Sequence, residues 1–246
     1  MPWASGALVA AALVGLGCAY AREAKPPETP EEEFAEAKKE CEEGNYYDAV
    51  QELTAFIDKH PGSVLVDQAI YFLGQAYMGQ KDWILAATEL ERLVRDFPDS
   101  RYACDAEFDL GYCYWRDAKP AVYDQEQTMD AVEQLHRYRG RCPDHPRAAT
   151  ADSLLGLARD RLAEKRFRTA ELYKRLGQSE SGIIYCNLVV EEYGDTRWVC
   201  PARRLKTELL YRVLRRDEAR TELERLQVDC PEEPGLDELA RKLGGG

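Results

Sequence analysis

This sequence predicts an all-α fold, a solenoid of about five antiparallel helix pairs, on three observations. Helix-ending residues recur as a beat: Pro61, Pro98, Pro143, Gly194 and Pro231 stand 37, 45, 51 and 37 residues apart (98 − 61, 143 − 98, 194 − 143, 231 − 194). Small residues recur inside the blocks at one interval, as Gly74 and Ala86 do (86 − 74 = 12). No alternating apolar and polar run is long enough for a convincing strand. A unit of this length that closes on proline or glycine is one helix pair, and such pairs bury their apolar faces by stacking on one another.

The clearest unit runs from Asp67 to Pro98. Leu73-Gly74-x2-Tyr77, then Ala86-x3-Leu90, then Asp96-Phe97-Pro98 is the tetratricopeptide pattern of small, aromatic and proline positions. The small residues let two antiparallel helices approach where larger side chains would wedge them apart. The block before it repeats this with Ala37 and Ala49 (49 − 37 = 12) and closes at Pro61. In the third block Gly111 and Ala131 are 20 apart (131 − 111), so an insert of eight residues (20 − 12) is expected near Asp117–Gln125, between its two helices. The fourth block pairs Ala170 with Gly182 (182 − 170 = 12), so its excess length lies before Ala170, where Ala149–Ala163 reads as an N-terminal extension of the first helix. The fifth has Ala219-x3-Leu223 and Pro231, with Thr207 in place of the first small residue. The repeat domain is placed at residues 31–243 as one domain of five repeats.

The front end reads as an export signal. Ala7–Gly17 is apolar, too short to span a bilayer core of roughly 30 Å, and ends at Cys18. Gly15 and Gly17 before Cys18 resemble the lipobox of bacterial lipoproteins, in which the cysteine is acylated, although the leucine usual three positions earlier is Gly15 here. An ordinary cleaved signal or a buried apolar tail is the alternative. Residues 1–18 are thus expected to be a signal peptide with a lipidated Cys18, and 19–30, with Pro26, Pro27 and Pro30, an extended tether. By the same resemblance, Ala19 after the cysteine suits the outer rather than the inner membrane.

Eight cysteines in an exported chain invite disulfides. Cys104 and Cys142 hold the first helical position and the residue before the closing proline of block three; Cys200 and Cys230 hold the same stations in block five. Antiparallel helices bring these stations to one edge, so bridges Cys104–Cys142 and Cys200–Cys230 are expected. Cys41, Cys113 and Cys186 read as small buried thiols. Zinc on Cys142 and His145 lacks a second close-spaced ligand pair, and no metal or other cofactor is expected.

The net charge of −12 is unevenly spread. Glu23–Lys59 carries twelve acids against four bases, and Arg137–Leu176 eleven bases against five acids. The acidic start and the basic middle-to-end therefore offer different partners different faces, unless these are merely solvated helix surfaces; nucleic acid is not expected for an exported acidic protein. Phe34, Tyr71 and Phe108 recur 37 apart (71 − 34, 108 − 71), with Phe167 at the same station in block four. In tetratricopeptide arrays that face looks into the concave groove, where Met78, Tyr112 and Trp115 are expected to join it. The recurring rings suit inter-repeat packing equally well; Tyr112 and Trp115 are less regular and make better peptide-binding candidates. No phosphate-cradling loop, hydrolase elbow or partnered histidine is present, so an enzyme is not expected.

Taken together, these residues resemble the outer-membrane assembly factor D family, lipoproteins of the β-barrel assembly machine. The matches beyond generic repeats are Tyr123-Asp124-Gln125-x2-Thr128 closing the insert, Leu162-Ala163-Glu164 ending the long helix, and Ala170-x2-Tyr173 followed by Glu192-Tyr193-Gly194-Asp195-Thr196. The resemblance implies a periplasmic scaffold at the outer membrane, working beside other assembly lipoproteins. Its early repeats (Tyr71, Phe72, Phe108, Tyr112, Trp115) would receive unfolded outer-membrane protein peptides, and its basic later repeats would dock the barrel-bearing subunit through its periplasmic domains. An arginine common in the family is Tyr185 here, so docking through that position would differ. A cell-envelope tetratricopeptide lipoprotein that coordinates peptidoglycan synthesis or a secretion channel is the alternative.

Overall fold

A computed structural model describes residues 29–244. The expected signal segment with Cys18, and the tether up to residue 28, lie outside the described residues. Among the described residues the chain is helical with no strand: α1 (Pro30–Glu43), α2 (Tyr46–Lys59), α3 (Val66–Gln80), α4 (Trp83–Asp96), α5 (Ala103–Asp117), α6 (Glu126–Arg141), α7 (Ala148–Arg175), α8 (Ser179–Glu192), α9 (Val199–Arg212), α10 (Arg216–Asp229) and α11 (Leu236–Gly244). Each helix packs mainly on the one before and the one after it, while α1 and α3, α5 and α7, and α7 and α9 touch along the inner face. This nearest-neighbour pattern is that of a tetratricopeptide solenoid. None of these helices is long and apolar enough to cross a membrane.

Pro30, expected in the tether, instead opens α1. Thr29 accepts a hydrogen bond from the Glu32 backbone N–H at 3.2 Å, and the fixed φ of a proline at the first position suits helix entry. Glu31, Glu32 and Glu33 then complement the helix dipole. The pairs turn by two devices. Within a pair, Gly44, Lys81, Gly177 and Leu214 adopt positive φ and close the first helix with a paired backbone motif. At the end of a pair, His60, Phe97, Cys142 and Cys230 leave the helix with φ between −124° and −139°, where a following proline forbids α geometry. Tyr193 does the same (φ −126°) ahead of Gly194, so the corner does not depend on proline.

The small residues sit where helices cross. A Cβ on Gly74 would lie 2.9 Å from Leu90 Cδ2, one on Gly111 2.8 Å from Leu135 Cγ, and one on Gly182 2.7 Å from Leu209 Cδ1. Thr207 takes the same place fully buried by donating its hydroxyl to the Arg203 carbonyl at 2.9 Å. Between α5 and α6 the chain runs as a loop from residue 118 to residue 125. Buried Gln125 ties it down: the two hydrogens of its Nε2 are shared among the carbonyls of Pro120 (2.9 Å), Tyr123 (3.1 Å) and Asp124 (2.9 Å), while its Oε1 accepts from Thr128 at 2.9 Å. Those bonds explain the spacing of Gln125 and Thr128. α7 is 28 residues long, and its first half packs on α6, its second on α8. α11, which the five-pair reading did not single out, buries Leu239 and Leu243 over the end of the last pair as a cap.

Candidate functional site

The first helices of successive pairs are in register at 37 residues, so stations repeat: Phe34, Tyr71 and Phe108; Lys38, Gln75 and Tyr112; Cys41, Met78 and Trp115. On the inner face of α1, α3 and α5, five of these nine residues, Cys41, Tyr71, Gln75, Met78 and Tyr112, help shape an open hollow of about 450 Å³. Tyr71, Phe72, Met78 and Tyr112 line it together. Tyr46, Gly79 and Trp83, which the spacing argument passed over, line it too, as do Cys41, Glu42 and Gln75. Tyr46 and Trp83 are themselves 37 apart (83 − 46), a signal that could have found them.

The rings form a connected surface. Tyr71 stacks on Tyr102 at 4.4 Å and meets Phe72 edge-on at 5.5 Å, while Trp83 meets Tyr112 edge-on at 6.1 Å. Two cations lie on the rims: Lys38 Nζ is 5.0 Å from the Phe72 centroid, and the Arg116 guanidinium is 4.6 Å from that of Trp83 while donating to the Tyr112 hydroxyl at 2.6 Å. Gly79 has no room for a side chain, because a Cβ there would run into the Tyr46 ring.

Two expected groove residues lie elsewhere. Phe108 is 2% exposed, edge-on to Tyr138 at 5.5 Å and 3.8 Å beneath the Arg147 guanidinium. It has no polar tip to hold at the surface, and Arg147, just ahead of the long α7, covers it. Phe34 and Phe167 are likewise buried, so inter-repeat packing is the role of these phenylalanines. Trp115 opens into a second hollow of about 450 Å³ between the insert and α7, with Val122, Leu157 and Arg168. There Arg161 stacks on it at 3.7 Å and donates to the Ala118 carbonyl at 3.2 Å.

Behind the first hollow lies a polar cluster that sequence reasoning missed. Asp109, 1% exposed, accepts from Gln75 Nε2 at 2.7 Å and from the Tyr71 hydroxyl at 3.3 Å on one oxygen, and from Arg147 on the other. Burial raises the Asp109 carboxyl above its usual range against the pull of Arg147 and Gln75, and burial, aided by Asp109, pushes the Tyr71 phenol up. Asp109 follows Phe72 at 37 residues (109 − 72), but only the fold brings Arg147 to it.

The described cysteines fall in two groups. Cys104 is bonded to Cys142 with Cα atoms 6.1 Å apart, and Cys200 to Cys230 at 5.7 Å. His145, near Cys142, is hydrogen-bonded through Nδ1 to the Tyr138 hydroxyl at 2.8 Å. Cys41, Cys113 and Cys186 are free and buried, and burial pushes their thiols up to about 11, 12 and 12, which leaves them inert as nucleophiles.

The basic stretch is largely ion-paired: Arg139 with Asp152 (2.7 Å), Arg141 with Glu107 (2.8 Å), Arg159 with Asp195 (2.5 Å) and Arg168 with Glu164 (2.6 Å). Tyr185, at the position of the family arginine, stacks on Tyr173 at 5.4 Å.

Among solved structures, the chain is similar to a thermophilic tetratricopeptide-repeat protein of Thermus thermophilus, with 17% identity and a TM-score of 0.41, covering 89% of this chain and 100% of that one. It is similar also to a tetratricopeptide-repeat protein of Parabacteroides merdae, at 16% identity and a TM-score of 0.41, covering 88% of this chain and 86% of that one. The family model described as outer membrane lipoprotein, YfiO, matches residues 26–226 of the 246, from the segment before α1 into α10. The chain therefore belongs to the YfiO outer membrane lipoprotein family, in agreement with the resemblance to the assembly factor D lipoproteins that its repeats carry.

Proposed function

We propose that this protein is a non-catalytic periplasmic scaffold, held in the outer membrane through an acylated Cys18, that assists folding and insertion of β-barrel proteins. The observation that carries this reading is the aromatic hollow of Tyr71, Phe72, Met78, Trp83 and Tyr112 in a chain of the outer membrane lipoprotein family. Strands of outer-membrane barrels alternate apolar and polar residues and carry aromatic girdles, so in the unfolded state they expose an apolar side chain at every second residue and rings toward the strand ends. A wall of fixed rings receives such segments, with buried ring area supplying much of the binding free energy. The later repeats dock the barrel-bearing subunit through its periplasmic domains, beside other assembly lipoproteins. That contact does not reproduce an arginine bridge at position 185, because Tyr185 stacks on Tyr173 there.

The test is a crosslinked affinity pulldown from native membranes, with partners identified by mass spectrometry and Cys18 acylation scored on the same sample. Recovery of a barrel protein carrying periplasmic repeat domains is the expected result. Peptidoglycan synthases or secretion-channel components without that protein would instead establish a lipoprotein of envelope growth or secretion.

A further inference from the structure

Two side chains with carbonyl-type acceptors line the hollow: the exposed Glu42 carboxylate, which pairs with Lys38 at 3.3 Å, and the Gln75 amide, whose orientation is fixed. Gln75 lines the hollow beside Tyr71, Phe72 and Met78. Its side-chain amide has a donor end, Nε2, and an acceptor end, Oε1. Nε2 faces the Asp109 carboxylate at 2.7 Å and Met78 Sδ at 3.7 Å. The reverse orientation would set the amide oxygen against a carboxylate oxygen, two acceptors without a proton between them, so the chemistry of Asp109 decides the flip. Asp109 is itself held in place: it is buried and bonded on its other oxygen by Arg147, which lies over Phe108 and is bonded to Asp105 at 3.4 Å. Among the described residues no group donates to Gln75 Oε1.

We infer that Gln75 Oε1 is the backbone reader of the hollow, accepting a hydrogen bond from a main-chain N–H of an extended, aromatic-bearing peptide, with Asp109 and Arg147 as its positioning residues. The inference rests on the reading of the hollow as a peptide groove. An extended segment has main-chain N–H groups free to donate and alternates its side chains on either side, so rings can lie on Phe72 and Tyr112 while an amide faces Gln75. A helical segment spends its N–H groups internally beyond the first turn and offers none in mid-helix. A fixed, uncharged acceptor between aromatic walls therefore selects extended over helical ligands, and does so without reading their sequence.

The probe is a fluorescein-labelled synthetic peptide of about ten residues, the length of a barrel strand, alternating Phe or Tyr with Ser or Thr. With it goes a set of analogues, each N-methylated at one backbone amide. Binding to the full chain is followed by fluorescence polarisation. One analogue is expected to bind the wild-type chain about three- to tenfold more weakly than the parent, the worth of one hydrogen bond. Gln75→Leu is expected to weaken the parent by about the same factor and to bind that analogue and the parent equally. If no analogue loses affinity for the wild-type chain, or if the loss persists in full in Gln75→Leu, Gln75 is not the reader. A helix-stapled version that binds more tightly than the parent would also overturn the inference. Phe72→Ala separates the two readings: a parent peptide that fails to bind, or binds Phe72→Ala as well as the wild type, removes the groove and with it the role of Gln75.

Discussion

The first two helix pairs and the last pair are built on one repeat and held together differently. The core of α1–α4 is apolar and aromatic: Phe34, Leu53, Phe56, Ile70, Leu90 and Leu93 are buried in it, and Cys41 stays a free thiol. The last pair, α9 and α10, buries no ring of its own. It holds instead by aliphatic contacts, by the Cys200–Cys230 bridge and by a buried carboxylate, Glu222, 3% exposed, which accepts from Arg203 and Lys206 at 2.8 Å each. The same geometry can thus be stabilised by ring packing or by paired charge and a crosslink, and the choice decides the surface. Ring packing leaves rings at the edge of the core, which become the groove; paired charge leaves charged surface around α7–α10.

The contrast breaks most sharply at the two cores. Phe56→Ala, at a fully buried position, is expected to cost about 3–5 kcal/mol. Hydrogen exchange would show protection lost across α1–α4 before α9 and α10. Replacing Cys200 and Cys230 by serine is expected to cost about 2–4 kcal/mol, with protection lost in α9–α11 and peptide binding at the groove intact. Glu222→Leu leaves Arg203 and Lys206 without that carboxylate; because both retain some exposure and can turn toward water, the expected loss is about 2 kcal/mol by chemical denaturation.

Smaller effects sharpen the comparison. Where α1 meets the end of α2, hydrogen bonds from Lys59 and then His60 hold the Glu33 carboxyl below its usual range. A lowered folded-state pKa means that this contribution is present at neutral pH and lost as pH falls through the carboxylate range toward the folded-state value. Glu33→Gln is therefore expected to flatten the acid limb of thermal stability against pH by under about 1 kcal/mol, since Lys59 is exposed. Lys81→Gly and Leu214→Gly relieve positive φ in an early and a late turn, and each is expected to stabilise by about 0.5 kcal/mol. Equal gains would show that the turns are equivalent where the cores are not.

The scaffold was legible in the sequence because small and helix-ending residues act locally: proline excludes α geometry from its neighbour, and glycine or alanine sets how closely two helices cross. The loop between α5 and α6 and the length of α7 follow from the same counting. The groove was legible only in part. Periodicity places Phe108 and Tyr71 at one station, yet the tyrosine turns its hydroxyl to buried Asp109 and leaves its ring lining the hollow, while Arg147 covers the phenylalanine. Nor does spacing distinguish the hollow of Tyr112 from that of Trp115, three residues apart on one helix. Asp109 and Arg147, 38 residues apart, meet only because α7 begins beside α5, a tertiary fact that no local pattern carries.

The central claim, that early and late repeats hold different partners, is tested most directly by a photo-crosslinking amino acid placed in living cells at Met78, in the aromatic hollow, and in parallel at Arg168, on α7. The account predicts unfolded barrel chains captured from Met78 and the barrel-bearing subunit captured from Arg168. The same partner at both positions, or no unfolded barrel chain at Met78, would contradict it.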